Sequence, residues 1–136
     1  MNKNFPEWEE KNEDPVWDTH DFVIEKLTEN EAEYNFALSI LPSFILLFEK
    51  GGISKKELKL EIDKCLKTCK SLQSLYNKHL LSIKEIRDLI NTGNVPPERE
   101  IVSECIDELE STTKELRLTI DASERMLSFI KKEHDL

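Results

Sequence analysis

Apolar residues recur at alternating steps of three and four along three long stretches of this chain. That spacing keeps side chains on one face of an α-helix, so each stretch predicts a helix that buries a single stripe. The predicted helices cover residues of about 15–50, 54–91 and 97–134. No stretch alternates with a period of two, which is the pattern of a half-buried β-strand. The chain is therefore expected to be all-α.

Short sequence signals mark the ends of these helices. Ser54 followed by Glu57 is a capping box, in which each side chain accepts a hydrogen bond from a backbone amide that the helix leaves unpaired. Thr28 and Glu31 repeat that pattern inside the first stretch, so this stretch is either one continuous helix or two. Pro42 lies later in the same stretch and predicts a kink, because proline removes one backbone hydrogen bond and clashes with the preceding turn.

The connections between the predicted helices are short, which makes successive helices antiparallel neighbours. The sequence therefore predicts an elongated up-down-up three-helix bundle with coiled-coil-like packing, with helix one kinked near Pro42. A length of 136 residues suits one domain. We expect an acidic N-terminal arm over residues 1–13 and the helical bundle over residues 14–136. Left- and right-turning arrangements bury the same stripes, so the handedness of the bundle stays open.

The charge of the chain is unevenly distributed. The formal net charge is −9, yet residues 54–91 carry nine bases and five acids, between two acidic neighbours. This pattern favours charge complementarity between helices of one bundle. Nucleic-acid binding needs a dense Lys/Arg surface that this chain lacks, so no nucleic-acid partner is expected.

Cysteine use and the N-terminus bear on location. The three cysteines are an odd number within helical segments, and the first ten residues are polar and acidic rather than a secretory signal. Both features favour a reducing, cytoplasmic location. The longest apolar run is too short to span a bilayer, so no membrane association is expected.

Residues 36–48 hold more apolar side chains than one buried stripe needs. Ile40, Phe44, Leu46 and Leu47 lie off the stripe, so the helix is apolar all round and needs cover on every side. The cover is the bundle itself, a second copy of the chain, or a different protein. Exposed apolar patches usually mark association sites, so these four residues are the predicted partner-binding residues.

The histidines are the obvious candidates for chemistry. Opposed positions in an up-down-up bundle place His20 about one turn from His79, with Glu110 facing His79. Such ligands suit zinc or iron, but no Glu-x-x-His or His-x-x-x-His pair is present. Neither a glycine-bounded serine nor a phosphate-binding glycine loop occurs. The sequence therefore predicts no enzyme activity, no catalytic residue, no cofactor and no metal site.

The function that this pattern favours is a small acidic protein-binding module that acts by stoichiometric association. It would be of the inhibitor, immunity or adaptor type, with the apolar patch of helix one as its interface and acidic flanks that attract a basic partner. A homodimeric structural or regulatory bundle without enzymatic activity is the first alternative. A metal-binding bundle that uses His20 and His79 is the second.

Overall fold

The computed structural model describes residues 15–136, and within that range the chain is all-helical, without a β-strand. The α-helices are α1 (Pro15–Glu49), α2 (Lys55–Asn91), α3 (Glu100–Glu104) and α4 (Ile106–Glu133), and a 3₁₀ turn (Pro97–Arg99) precedes α3. The predicted all-α class is confirmed. The predicted acidic arm over residues 1–13 lies outside the described residues.

The boundaries of α2 follow the local sequence. The Ser54 hydroxyl accepts a hydrogen bond from the Glu57 amide at 3.1 Å, and the Glu57 carboxylate accepts one from the Ser54 amide at 3.1 Å. At the other end, Gly93 adopts a left-handed φ of 78°, which costs glycine little because it has no Cβ. The predicted capping box is therefore confirmed.

The first helix is continuous through both of its ambiguous positions. At Thr28 the hydroxyl donates to the Ile24 carbonyl at 2.9 Å, which is a bond back to the preceding turn and not a cap. Pro42 also lies inside α1. The two-helix alternative for this stretch is therefore wrong, and the kink expected near Pro42 stays a prediction.

The third predicted helix, over residues 97–134, is divided in the structure. Pro96 and Pro97 lack amide donors, and the segment opens as a 3₁₀ turn. At Cys105 the backbone leaves helical geometry (φ −105°, ψ 11°), and its amide is shared between the carbonyls of Ile101 and Val102, each at 3.2 Å. Only the part after Cys105 is a long helix, so the expectation of one unbroken helix is corrected.

Helix α2 lies between α1 and α4 and packs against both. Asp63 bonds Lys131 near one end of α2 and Arg87 bonds Asp107 near the other, so α2 and α4 are antiparallel. The spacing of three and four predicts a buried stripe along α2 that begins at Leu58. Nearly the whole stripe is buried, namely Leu58, Ile62, Cys65, Cys69, Leu72, Tyr76, His79, Ile83 and Ile86. Its burial on both sides makes this stripe the core of the molecule.

Helices α1 and α4 do not pack directly on each other. No Cα atom of α1 comes within 8 Å of one in α4, whereas closely packed helices have axes only about 8–10 Å apart. One side-chain bond crosses the gap, from the Tyr34 hydroxyl to the Ser123 hydroxyl at 2.5 Å. The up-down-up three-helix bundle therefore stays a prediction, since one of the three faces it needs is open.

Candidate functional site

The gap between α1 and α4 is an open groove with α2 as its floor, which we call the α1/α4 groove. Its wider part encloses about 570 Å³ and is lined by Leu38, Leu41, Pro42, Ile45, Leu46, Glu49, Met126 and Ile130. It continues along the same two helices past Glu31, Tyr34, Asn35, Leu116, Thr119 and Ile120, where Leu72 and Tyr76 of α2 form the floor. Most of this lining is apolar.

Each wall of the groove is a stripe of residues spaced by three and four, beside the core stripe of its helix. The groove stripe of α1 is Glu31, Asn35, Leu38, Pro42, Ile45 and Glu49. The groove stripe of α4 contains Leu116, Thr119, Met126 and Ile130, and helical spacing extends it to Ser123 and Glu133. The heptad spacing that builds the core thus also aligns these edges.

Large apolar side chains remain exposed along this groove because α1 and α4 are too far apart to cover them. Leu46 on α1 is 51% exposed, and on α4 Met126 is 49% and Leu116 is 38% exposed. Exposed apolar side chains that cluster beside a groove are typical of association sites. The sequence analysis missed the contribution of α4, although Leu116, Met126 and Ile130 recur at helical spacing.

The structure separates the four predicted partner-binding residues. Leu46 lines the α1/α4 groove, whereas Ile40 lines a second groove between α1 and α2. The two positions are six residues apart, which is about 120° around a helix. Phe44 and Leu47 lie on the Ile40 side by the same measure; Phe44 packs against the core and Leu47 is exposed. The four residues therefore do not form one continuous surface.

A buried pair of histidines lies near the other end of the core. The rings of His20 and His79 have centroids 5.3 Å apart. The ring centroids of Trp17 and His20 are 6.1 Å apart, in an edge-to-face arrangement. The Thr113 hydroxyl donates to the Leu109 carbonyl at 2.6 Å, so it can only accept from His79 Nδ1, 3.2 Å away. Neutral His79 then carries its proton on Nδ1 and a lone pair on Nε2.

Burial lowers the pKa of both imidazoles. The pKa of His79 falls to about 4, first through desolvation and then through repulsion by His20. Desolvation also lowers the pKa of His20, which nearby Asp21 raises and Arg99 lowers. Arg99 pairs with Asp21 at 2.7 Å and lies over the Trp17 ring at 4.9 Å, so an ion pair covers this layer. Both histidines are therefore held neutral.

The structure brings His20 and His79 together, as the spacing predicts, but it does not add Glu110 to them. The Glu110 carboxylate instead accepts a hydrogen bond from the Arg87 guanidinium at 2.9 Å. Within residues 15–136 no group of three or more His, Cys, Asp or Glu side chains could hold a metal ion. Three atoms of the layer, Trp17 Nε1, His20 Nδ1 and His79 Nε2, are buried without a hydrogen-bond partner among these residues.

None of the helices described is long and apolar enough to cross a membrane. Comparison with protein-family models, with curated proteins and with solved structures finds no match to this chain. The geometry of the α1/α4 groove and of the histidine layer is therefore the basis for any functional conclusion.

Proposed function

We propose that this chain is a small acidic protein-binding module that acts by stoichiometric association, of the inhibitor, immunity or adaptor type. The proposal takes the three long helices as an up-down-up bundle that is open along one side. Its interface is the α1/α4 groove. This interface differs from the sequence-based patch: it keeps Leu46, leaves out Ile40, Phe44 and Leu47, and adds Met126. We infer no enzymatic activity and a cytoplasmic location.

One observation carries this proposal. An apolar groove runs between two helices that do not pack on each other, and its walls hold Leu46 and Met126, each about half exposed. Transferring apolar surface out of water is favourable by roughly 25 cal/mol per Å². A partner that covers these side chains therefore gains binding energy without any change in the fold.

The test is a pull-down of the tagged protein from a lysate of its native cell, read by mass spectrometry. The wild type is compared with Leu46→Asp and with Leu60→Asp. Leu60 is a matched control, because it is 55% exposed on α2 and lies between the buried Leu58 and Ile62, on the face turned away from the core. We expect one partner at near-stoichiometric amounts that Leu46→Asp loses and Leu60→Asp retains.

Circular dichroism at 222 nm checks that Leu46→Asp keeps the helicity of the wild type. Equal recovery of the partner by both variants would contradict the proposed interface. Light scattering on the purified protein then examines the first alternative, the homodimer. A mass of twice 15.9 kDa that Leu46→Asp returns to 15.9 kDa, with no other protein recovered, would make the groove a self-interface.

A metal-binding bundle is the second candidate, favoured by the unpartnered nitrogens of His20 and His79. Imidazole nitrogens are common ligands of zinc and copper, although two ligands are fewer than a structural site uses. The test is the metal content after purification without added metal. About one equivalent per chain in the wild type, lost in His79→Asn, would support this candidate, and a metal-free wild type would remove it.

A further inference from the structure

We infer that the α1/α4 groove takes one amphipathic helix of a partner protein, with apolar residues on its inner face and Lys or Arg along its edges. This inference rests on the proposed function and names the chemistry of the partner. It is argued from the shape of the groove and from the charges along its two walls.

The shape fits a helix. Three helices leave the side between α1 and α4 open, and a fourth helix in that position would complete a four-helix arrangement. The groove runs along α1 from Glu31 to Glu49, which is about 27 Å at roughly 1.5 Å per residue. A helix of about five turns spans that length, and its residues at i, i+3 or i+4 and i+7 would contact Leu46, Met126 and Ile130.

The charges along the walls select the partner. Both groove stripes contain glutamates and neither contains a Lys or an Arg. The acids are Glu31 and Glu49 on α1 and Glu133 on α4. They lie at the ends of the two stripes, beyond the apolar positions, so both ends of a helix in the groove lie beside carboxylates. Complementary charges raise the association rate and disfavour acidic partners, so the edges of the bound helix are basic.

The same charges disfavour the two other occupants. Two copies that meet groove to groove would bring the acidic stripes of one copy against those of the other, and like charges in such positions oppose association. Residues 1–14 of the same chain carry five acids and two lysines. The groove is thus better matched to a basic helix than to a second copy of the chain or to residues 1–14.

The probe is a fluorescein-labelled 18-residue peptide with Leu at heptad positions a and d and Lys at e and g. Two control peptides are used: one with Glu at e and g, and one with the basic composition in scrambled order. Fluorescence anisotropy with the full chain measures each affinity at 50 mM and 500 mM salt. We expect the basic helical peptide to bind at least tenfold more tightly than either control, and to lose at least tenfold in affinity at the higher salt.

Variants of the full chain locate the binding. Leu46→Asp should weaken binding of the basic peptide at least tenfold, while the matched Leu60→Asp leaves it unchanged. The double variant Glu49→Lys/Glu133→Lys should reverse the preference, so that the peptide with Glu at e and g binds more tightly than the one with Lys. Glu49 on α1 and Glu133 on α4 are both exposed, so these changes leave the core intact.

The outcomes separate this inference from the proposed function. A scrambled basic peptide that binds as tightly as the helical one, or an unchanged preference in the double variant, would overturn the basic helix. If the pull-down still recovers a partner that only Leu46→Asp loses, the protein-binding module stands and its partner has another chemistry. If neither peptide nor partner binds and the protein is a dimer that Leu46→Asp dissociates, a second copy occupies the groove and both proposals fail.

Discussion

Lowering the pH from 7 to 5 should destabilise this protein through its buried histidine pair. The pKa of His79 is about 4 in the folded chain against 6.5 for an ordinary histidine, and burial lowers the pKa of His20 as well. Between these two pKa values the unfolded chain binds more protons than the folded one. Stability is therefore fully present above pH 6.5 and is lost as the pH falls towards 4.

The magnitude follows from the shift at His79. An imidazole with a pKa of 6.5 when unfolded and about 4 when folded removes about 2 kcal/mol from the free energy of unfolding at pH 5, and about 3 kcal/mol at pH 4. The contribution of His20 has the same sign. The groups that face the pair are Asp21 on α1, Arg99 in the 3₁₀ turn and Thr113 on α4. Asp21 is the one carboxylate among these three groups, so no second carboxylate stabilises an imidazolium.

The assay is urea denaturation followed by circular dichroism at pH 7, 6 and 5. The variant His79→Asn removes the titration while an amide nitrogen replaces Nδ1 as the donor to Thr113. Its free energy of unfolding should vary about 2 kcal/mol less between pH 7 and 5 than that of the wild type. His134→Asn is the matched control, because His134 lies at the end of α4 and does not touch the pair.

Two results would refute this reasoning. One is a wild-type free energy of unfolding that changes by less than about 0.5 kcal/mol between pH 7 and 5. The other is a His79→Asn variant that loses as much stability as the wild type over that range. In either case the imidazoles are solvated or can take up a proton without unfolding the chain, and the buried layer is not the source of the pH dependence.

Two further predictions concern local features. Ser54→Ala should lower the free energy of unfolding by about 1 kcal/mol, because it removes one half of the capping box of α2. Ser128→Ala, on the exposed face of α4, is the control, and equal losses of stability in the two variants would contradict the role of the cap. Ellman's reagent should titrate one thiol rapidly in the folded protein, the exposed Cys105. Cys65 and Cys69 should react slowly, because burial raises the pKa of Cys65 and raises that of Cys69 to about 11. Three rapid thiols would show that the core opens readily.

The helices and most of the core could be predicted from the sequence, because helix formation and capping depend on neighbours in the chain. The spacing from Leu58 to Ile86 identified the buried face of α2, and Ser54 with Glu57 marked its start. The ambiguous signals were of the same local kind. At Thr28 the sequence allowed a cap, and the burial of Leu27 and Tyr34 on one stripe keeps α1 continuous.

The histidine pair could be predicted from the sequence only in part. Helical spacing and a short connection predicted that His20 and His79 share a layer. Helical register also put Glu110 opposite His79, and the structure pairs Glu110 with Arg87. The side to which a surface carboxylate turns depends on the nearest guanidinium on another helix, and helical register alone does not specify that.

By itself the sequence determined the helical class, the ends of α2 and the stripe that α2 buries, because those properties follow from local spacing and local hydrogen bonds. The interface was decided by tertiary structure. Ile40 and Leu46 are close in sequence yet lie on different grooves, while Leu46 and Met126 are distant in sequence and line the same one. Leu46 and Met126 share a groove because of the distance between α1 and α4. That distance depends on how both helices pack on α2, and the periodicity of either helix does not encode it.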